Sequence, residues 1–118
     1  LIVDDNPVNL LVAKKIVTHM GTNVTTAVNG EEAIEMVKRN SYDLVLMDIQ
    51  MPGIDGHHAA MEIRRLDFKN PIIALSANAY KDDVMKSLNA GMNDHIEKPF
   101  TDVQLFEAIS KHITDSAD

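Results

Sequence analysis

Apolar residues in this chain fall into short unbroken runs separated by longer stretches with helical spacing. Leu1-Ile2-Val3, Leu44-Val45-Leu46-Met47 and Ile72-Ile73-Ala74-Leu75 are apolar without alternation, the pattern of strands covered on both faces. With their flanks and two weaker runs they predict strands over residues 1–4, 23–28, 43–48, 71–76 and 94–97. Between them, Asn6-Pro7 supplies a cap and a first-turn proline, and Gly21 stands where a helix ends. That first helix is expected to bury Val8, Leu11, Val12, Ile16 and Met20. Of the adjacent Leu10 and Leu11, the spacing favours Leu11 for the interior and leaves Leu10 as the better contact for a partner helix. Further helices are predicted over 31–40 (Ala33, Ile34 and Val37 together), 57–66, 81–90, and from 101 or 102 to about 113, grouping Leu105, Phe106, Ile109 and Ile113. Residues 114–118 read as a fraying end.

Five strands alternating with five helices imply right-handed crossovers and a parallel α/β sheet wound on both faces, with short connections and no linker. A length of 118 residues suits one domain, and the chain opens inside an apolar run, as if excised from something longer with its first strand clipped. Aromatics are only 4%, so the core must rest on aliphatic residues and the seven Met. A net charge of −7 without a basic stripe argues against direct contact with nucleic acid. The lack of Cys excludes disulfides and thiolate metal sites. No apolar run approaches the roughly 18 residues that span a bilayer. The expectation is therefore a cytoplasmic domain without membrane contact of its own, including as the cytosolic part of a longer membrane-bound chain.

Ligands in such folds sit beyond the carboxyl ends of the strands. The residues there are Asp4-Asp5, Val28-Asn29, Asp48, Ser76 and Lys98-Pro99. One acid at a strand end commonly begins a turn. Three that converge repel one another and call for a hard divalent cation, with Mg²⁺ the best candidate and Mn²⁺ an alternative. A hydroxyl and an ammonium facing a metal-bound carboxylate are what a phosphoryl group needs, and an Asp carboxylate can accept one.

Asp4-Asp5, the run from Met47 to Gly53, Asp55-Gly56, Ser76-Ala77 and Lys98-Pro99-Phe100 together resemble the response-regulator receiver domain of two-component phosphorelays, along essentially the whole chain. The resemblance implies a flavodoxin-like strand order of 2-1-3-4-5. It implies Asp48 as phosphoacceptor, Asp4, Asp5, Asp48 and the backbone carbonyl of Gln50 around Mg²⁺, Ser76 on the phosphoryl group, and Lys98 pairing with Asp48 and then with phosphate. It further implies a cis Lys98-Pro99 peptide, which proline makes less costly, and tuning of the phosphoryl lifetime by Gln50 and Asn78. The switch position, usually Tyr or Phe, holds His95, whose ring either fills the same slot or lets charge bias the switch.

The other histidines read more plainly. His57 and His58 are adjacent, do not share a helix face, and read as surface residues. His19 and His112 fall late in their helices, where a partly positive ring suits the dipole.

Asp5-Asn6-Pro7-Val8-Asn9, Ala74-Leu75-Ser76-Ala77-Asn78-Ala79 and Ala90-Gly91-Met92-Asn93-Asp94 most resemble receivers of hybrid sensor histidine kinases. The implied partners are a histidine kinase, or its dimerisation and phosphoacceptor domain, and a histidine phosphotransfer protein. The implied chemistry is self-catalysed aspartyl phosphorylation and dephosphorylation, with kinase activity, if any, elsewhere in a longer chain. Three rivals are weaker. A haloacid-dehalogenase-type phosphatase wants a second acid where Gln50 stands, and a flavin carrier wants a phosphate loop and a stacking Trp. A receiver-like docking module acting mainly through protein binding remains the alternative.

Overall fold

The computed structural model describes residues 1–51, 53–77, 81–98 and 100–117, with 81–83 and 113–117 described in backbone only. The elements alternate strictly: β1 (Ile2–Val3), α1 (Pro7–His19), β2 (Thr26–Ala27), α2 (Gly30–Arg39), β3 (Val45–Asp48), α3 (Gly56–Arg65), β4 (Ile72–Ser76), α4 (Lys81–Asn89), β5 (Asp94–Glu97) and α5 (Asp102–Ala117). The five strands form one parallel sheet in the order β2-β1-β3-β4-β5. The doubly wound sheet is the one expected from the unalternating runs, and its order is the flavodoxin-like one that the resemblance implies. None of the described helices is long and apolar enough to cross a membrane.

Successive strand residues point to opposite faces, so each run feeds two cores. Val3, Val45, Met47, Ile72 and Ala74 pack with Ala33 of α2 and Ala59, Ala60 and Ile63 of α3. Ile2, Leu46, Ile73, Leu75 and Ile96 pack with Ala13 and Val17 of α1 and Leu105 and Ile109 of α5. Small residues on α2 and α3 let those helices lie close to the sheet.

Local signals set the helix starts. The Asn6 side chain accepts from the backbone N–H groups of Val8 (2.9 Å) and Asn9 (3.3 Å), with Pro7 in the first turn. Asn29 accepts from Glu32 N–H at 2.7 Å, and Asp55 from His58 N–H at 2.9 Å. In α2, Glu31 and Glu32 lie at the positive end and Lys38 and Arg39 at the negative end of the helix dipole.

Several expectations need correcting. β2 pairs over two residues rather than six, because its only ladder partner, β1, offers only Ile2 and Val3. Helix α1 is turned relative to the expected face. Ala13 and Val17 are buried with Leu10, Ile16 and Met20 against them, while Val8, Leu11 and Val12 are exposed, Leu11 by 59%. Apolar residues cover nearly every side of this helix, so spacing admitted two solutions and packing against β1 and α5 chose the other. Phe106 is likewise 52% exposed beside buried Leu105 and Ile109. The last helix continues to Ala117, through residues expected to fray, while the side chain of Ile113 lies outside the described residues.

Candidate functional site

Three neighbouring strands, β1, β3 and β4, end at one edge of the sheet, and the loop after β5 adds a fourth element. Pairing of Val3 with Met47 and of Asp48 with Leu75 brings the ends of β1, β3 and β4 level. Asp4, 2% exposed, leaves β1 there, and Asp48, 4% exposed, closes β3. Asp5 is exposed beside them. One carboxylate oxygen from each of the three lies within 4.8 Å of the other two. The sequence placed these acids at strand ends, and the fold brings them together as expected.

Lys98 reaches this cluster from the loop after β5. Its Nζ lies 3.0 Å from Asp4 Oδ2 and 3.1 Å from Asp48 Oδ1. Its backbone N–H donates to the Ser76 carbonyl at 2.6 Å, which fixes the lysine loop to the end of β4. Ser76 is buried at that end, paired in the ladder with Glu97. The Gln50 backbone N–H donates to Asp48 Oδ1 at 3.3 Å, and Asn6 N–H donates to Asp4 Oδ1 at 2.9 Å. Asn6 thus serves both as helix cap and as a support for Asp4. That second role has no sequence signal of its own.

The loop that carries Gln50 folds back onto the strand that carries Asp48. Gly56 N–H donates to the Ile49 carbonyl at 2.8 Å. A β-carbon at Gly56 would strike the Asp48 carbonyl and come within 2.7 Å of Ile49 Cα. Glycine is therefore required by the close approach of α3 to the backbone of the central acid.

Electrostatics follow from this packing. Burial, and then the charge of Asp4, raise the Asp48 carboxyl from 3.8 to about 6, against the opposing pull of Lys98. Burial alone would lower the Lys98 ammonium, but its contacts with Asp4 and Asp48 outweigh that and raise it. Three carboxylates against one ammonium leave a surplus of two negative charges when all are ionised. An all-oxygen donor set with that surplus fits a hard divalent cation such as Mg²⁺.

The remaining candidates distribute differently. Asn78 and Pro99, and with it the expected cis peptide, lie outside the described residues. His95 is half-buried on β5, with Nδ1 3.4 Å from Ser87 Oγ. Two histidines depart from expectation. His57 is half-buried, its Nε2 3.0 Å from the same Ser87 Oγ. His112 Nε2 lies 3.0 Å from Asp94 Oδ2, so a hydrogen bond to β5 rather than a helix end accounts for it. His58 is exposed, as expected.

Comparison with known proteins agrees with the site. The family model for the response regulator receiver domain matches residues 1–110. The receiver domain of sensor histidine kinase PA1611 from Pseudomonas aeruginosa superposes with a TM-score of 0.89 at 39% identity, covering 96% of this chain and 94% of that one. In that crystal structure a magnesium ion is coordinated in the active-site cleft. Among sequences, the transcription factor SKN7 of Candida albicans is 42% identical over 98% of this chain. The sensor protein GacS of Pseudomonas syringae is 39% identical over 94%. The chain spans only 21% and 13% of those two relatives. The chain belongs to the response-regulator receiver domain family. Its cluster of Asp4, Asp5 and Asp48 offers oxygen ligands close enough together to hold one metal ion.

Proposed function

We propose that Asp48 is the phosphoacceptor and that the domain takes a phosphoryl group from a phosphohistidine and passes it to a histidine phosphotransfer protein. The observation that carries this reading is a nearly buried Asp48 carboxylate held by Lys98, with Asp4 and Asp5 beside it. An Asp48 oxygen attacks phosphorus in line, forming the O–P bond as the P–N bond to histidine breaks. The imidazole leaves with the electron pair. Lys98 then neutralises the new phosphoryl charge, and the Ser76 hydroxyl donates to a phosphoryl oxygen. When bound, Mg²⁺ offsets the carboxylate charge and shares phosphoryl oxygens, with Asp4, Asp5, Asp48 and the Gln50 carbonyl as its protein ligands. Gln50 and Asn78 tune the lifetime of the phosphoryl group. His95 is the switch residue that responds to the phosphoryl group.

The partners in this reading are a histidine kinase, as donor, and a phosphotransfer protein, as recipient. Likeness to GacS and to PA1611 supports placing the domain in a hybrid sensor kinase, with residues 1–118 forming one receiver domain. Val8, Leu11 and Val12, exposed on α1, supply the apolar contact for a partner helix.

Intact mass after incubation with Mg²⁺ and a small acyl phosphate tests the central step. The expected result is one added phosphoryl group, dependent on Mg²⁺ and absent in Asp48→Asn. If neither an acyl phosphate nor a phosphohistidine donor modifies a folded sample that binds Mg²⁺, the docking-module reading takes its place.

A further inference from the structure

We propose that Ser87 is a positioning residue for the switch: its hydroxyl, shared between His57 and His95, latches the His95 ring against α4 and must release it when the domain switches. The inference rests on the reading of His95 as the switch residue. It adds two residues, Ser87 and His57, that the phosphoryl chemistry does not use.

Ser87 is 1% exposed, in the last turn of α4. From there its Oγ meets His57 Nε2, from the first turn of α3, at 3.0 Å and His95 Nδ1, on β5, at 3.4 Å. One hydroxyl thus links three elements. A serine hydroxyl has a single proton to give, so it can donate to at most one of the two rings. The other ring must present its own N–H to Ser87, so the tautomers of His57 and His95 are coupled through the shared oxygen. The two links are unequal. The shorter one anchors Ser87 to α3, and the longer one, to β5, is the weaker and the one suited to release.

His95 also sits where movement would be transmitted. It pairs with Ala74 in the ladder between β4 and β5, two residues before Ser76. Its N–H is held by Asp94 Oδ1 at 2.8 Å, and the other oxygen of Asp94 binds His112 of α5. The backbone of the switch residue is therefore tied toward α5 while its ring is tied toward α4. The ring can turn only by giving up the bond to Ser87.

A double-mutant cycle on the 118-residue chain, titrated with beryllofluoride in Mg²⁺ and followed by NMR of the uniformly ¹⁵N-labelled protein through its imidazole and backbone amide signals, tests this. Beryllofluoride mimics the phosphoryl group, so its apparent affinity reports the cost of switching. In the wild type its binding should shift the His95 Nδ1 signal. Ser87→Ala should move that signal part of the way in the free domain and tighten beryllofluoride binding by about fivefold, the effect of one neutral hydrogen bond. His95→Phe should give a similar gain, and the double variant no more than either single one. A Ser87→Ala gain that persists in full in the His95→Phe background would overturn the latch, since it would come from general loosening of α4. If Ser87→Ala does not fold, unchanged affinity in His95→Phe overturns it equally. A His95 signal that ignores beryllofluoride while those of Ser76 and Lys98 respond sinks the switch reading itself, and the latch with it.

Discussion

Asp48 shows how far one residue can be pushed by its surroundings. In an unfolded chain its carboxyl would titrate near the ordinary aspartate value; in the fold, burial and Asp4 raise it to about 6. The folded state therefore binds more protons than the unfolded state between about pH 3.8 and about 6. A raised carboxyl contributes stability that is fully present below the unfolded value and is lost as pH rises through the folded one. Asn in its place carries no charge at any pH. Without metal, Asp48→Asn should gain on the wild type by on the order of 2 kcal/mol between pH 4 and pH 7.5. Urea unfolding of both proteins in EDTA across that range reads the difference directly. A constant offset between the two curves would contradict the electrostatic account of this residue.

At the level of elements, α3 joins the site to the opposite edge of the fold. Its first residue, Gly56, abuts the Asp48 backbone, and near its last turn Arg64 gathers the surrounding loops. Arg64 Nε donates to the Gly91 carbonyl at 2.9 Å, and one terminal nitrogen donates to the carbonyls of Phe68 and Asn70, both at 2.8 Å. The other donates to Asn93 Oδ1 at 2.7 Å. The same Asn93 oxygen accepts from Ile72 N–H, so the guanidinium braces the start of β4 and the approach to β5 together. Arg64→Ala should cost about 2–4 kcal/mol, since several carbonyls lose a charged donor at once. Lys in its place should recover less than half, because a single ammonium cannot reproduce the planar fork. Chemical denaturation of the two variants checks both expectations. Nothing in the sequence distinguished Arg64 from its neighbour Arg65, which makes only an exposed pair with Glu62.

For the whole molecule, the site is where the two ends of the sequence meet. Asp4 and Lys98, 94 positions apart, form an ion pair across the carboxyl edge of the sheet. The surplus of negative charge there makes the fold a poorer state without a cation than with one. Mg²⁺ at a hundred times its dissociation constant should stabilise the domain by about 2.7 kcal/mol through mass action. Asp5 is exposed, so Asp5→Asn leaves the packing intact and should shift the Mg²⁺ concentration needed for that gain upward by about tenfold or more. Thermal melts across a Mg²⁺ series separate the two proteins. An identical midpoint dependence in both would remove Asp5 from the cation site.

The sequence by itself determined which apolar runs become the central strands and which residues stand at their carboxyl ends. Unalternating runs at 1–3, 44–47 and 72–75 can be buried only between two layers of helices, and this places Asp4, Asp48 and Ser76 at one edge. Local chemistry likewise announced the cap Asn6, because a cap depends on neighbours two or three residues away. What only tertiary structure decided are the choices that require a partner from afar. The face of α1 depended on which of its many apolar residues met β1 and α5, and it turned Leu10 rather than Leu11 toward the core. The short β2 depended on the length of its neighbour, and His112 on the reach of Asp94. The meeting of His57, Ser87 and His95 joins residues 57, 87 and 95 through one oxygen. Periodicity describes each segment against its own axis, whereas such contacts are set by how the segments are placed against one another.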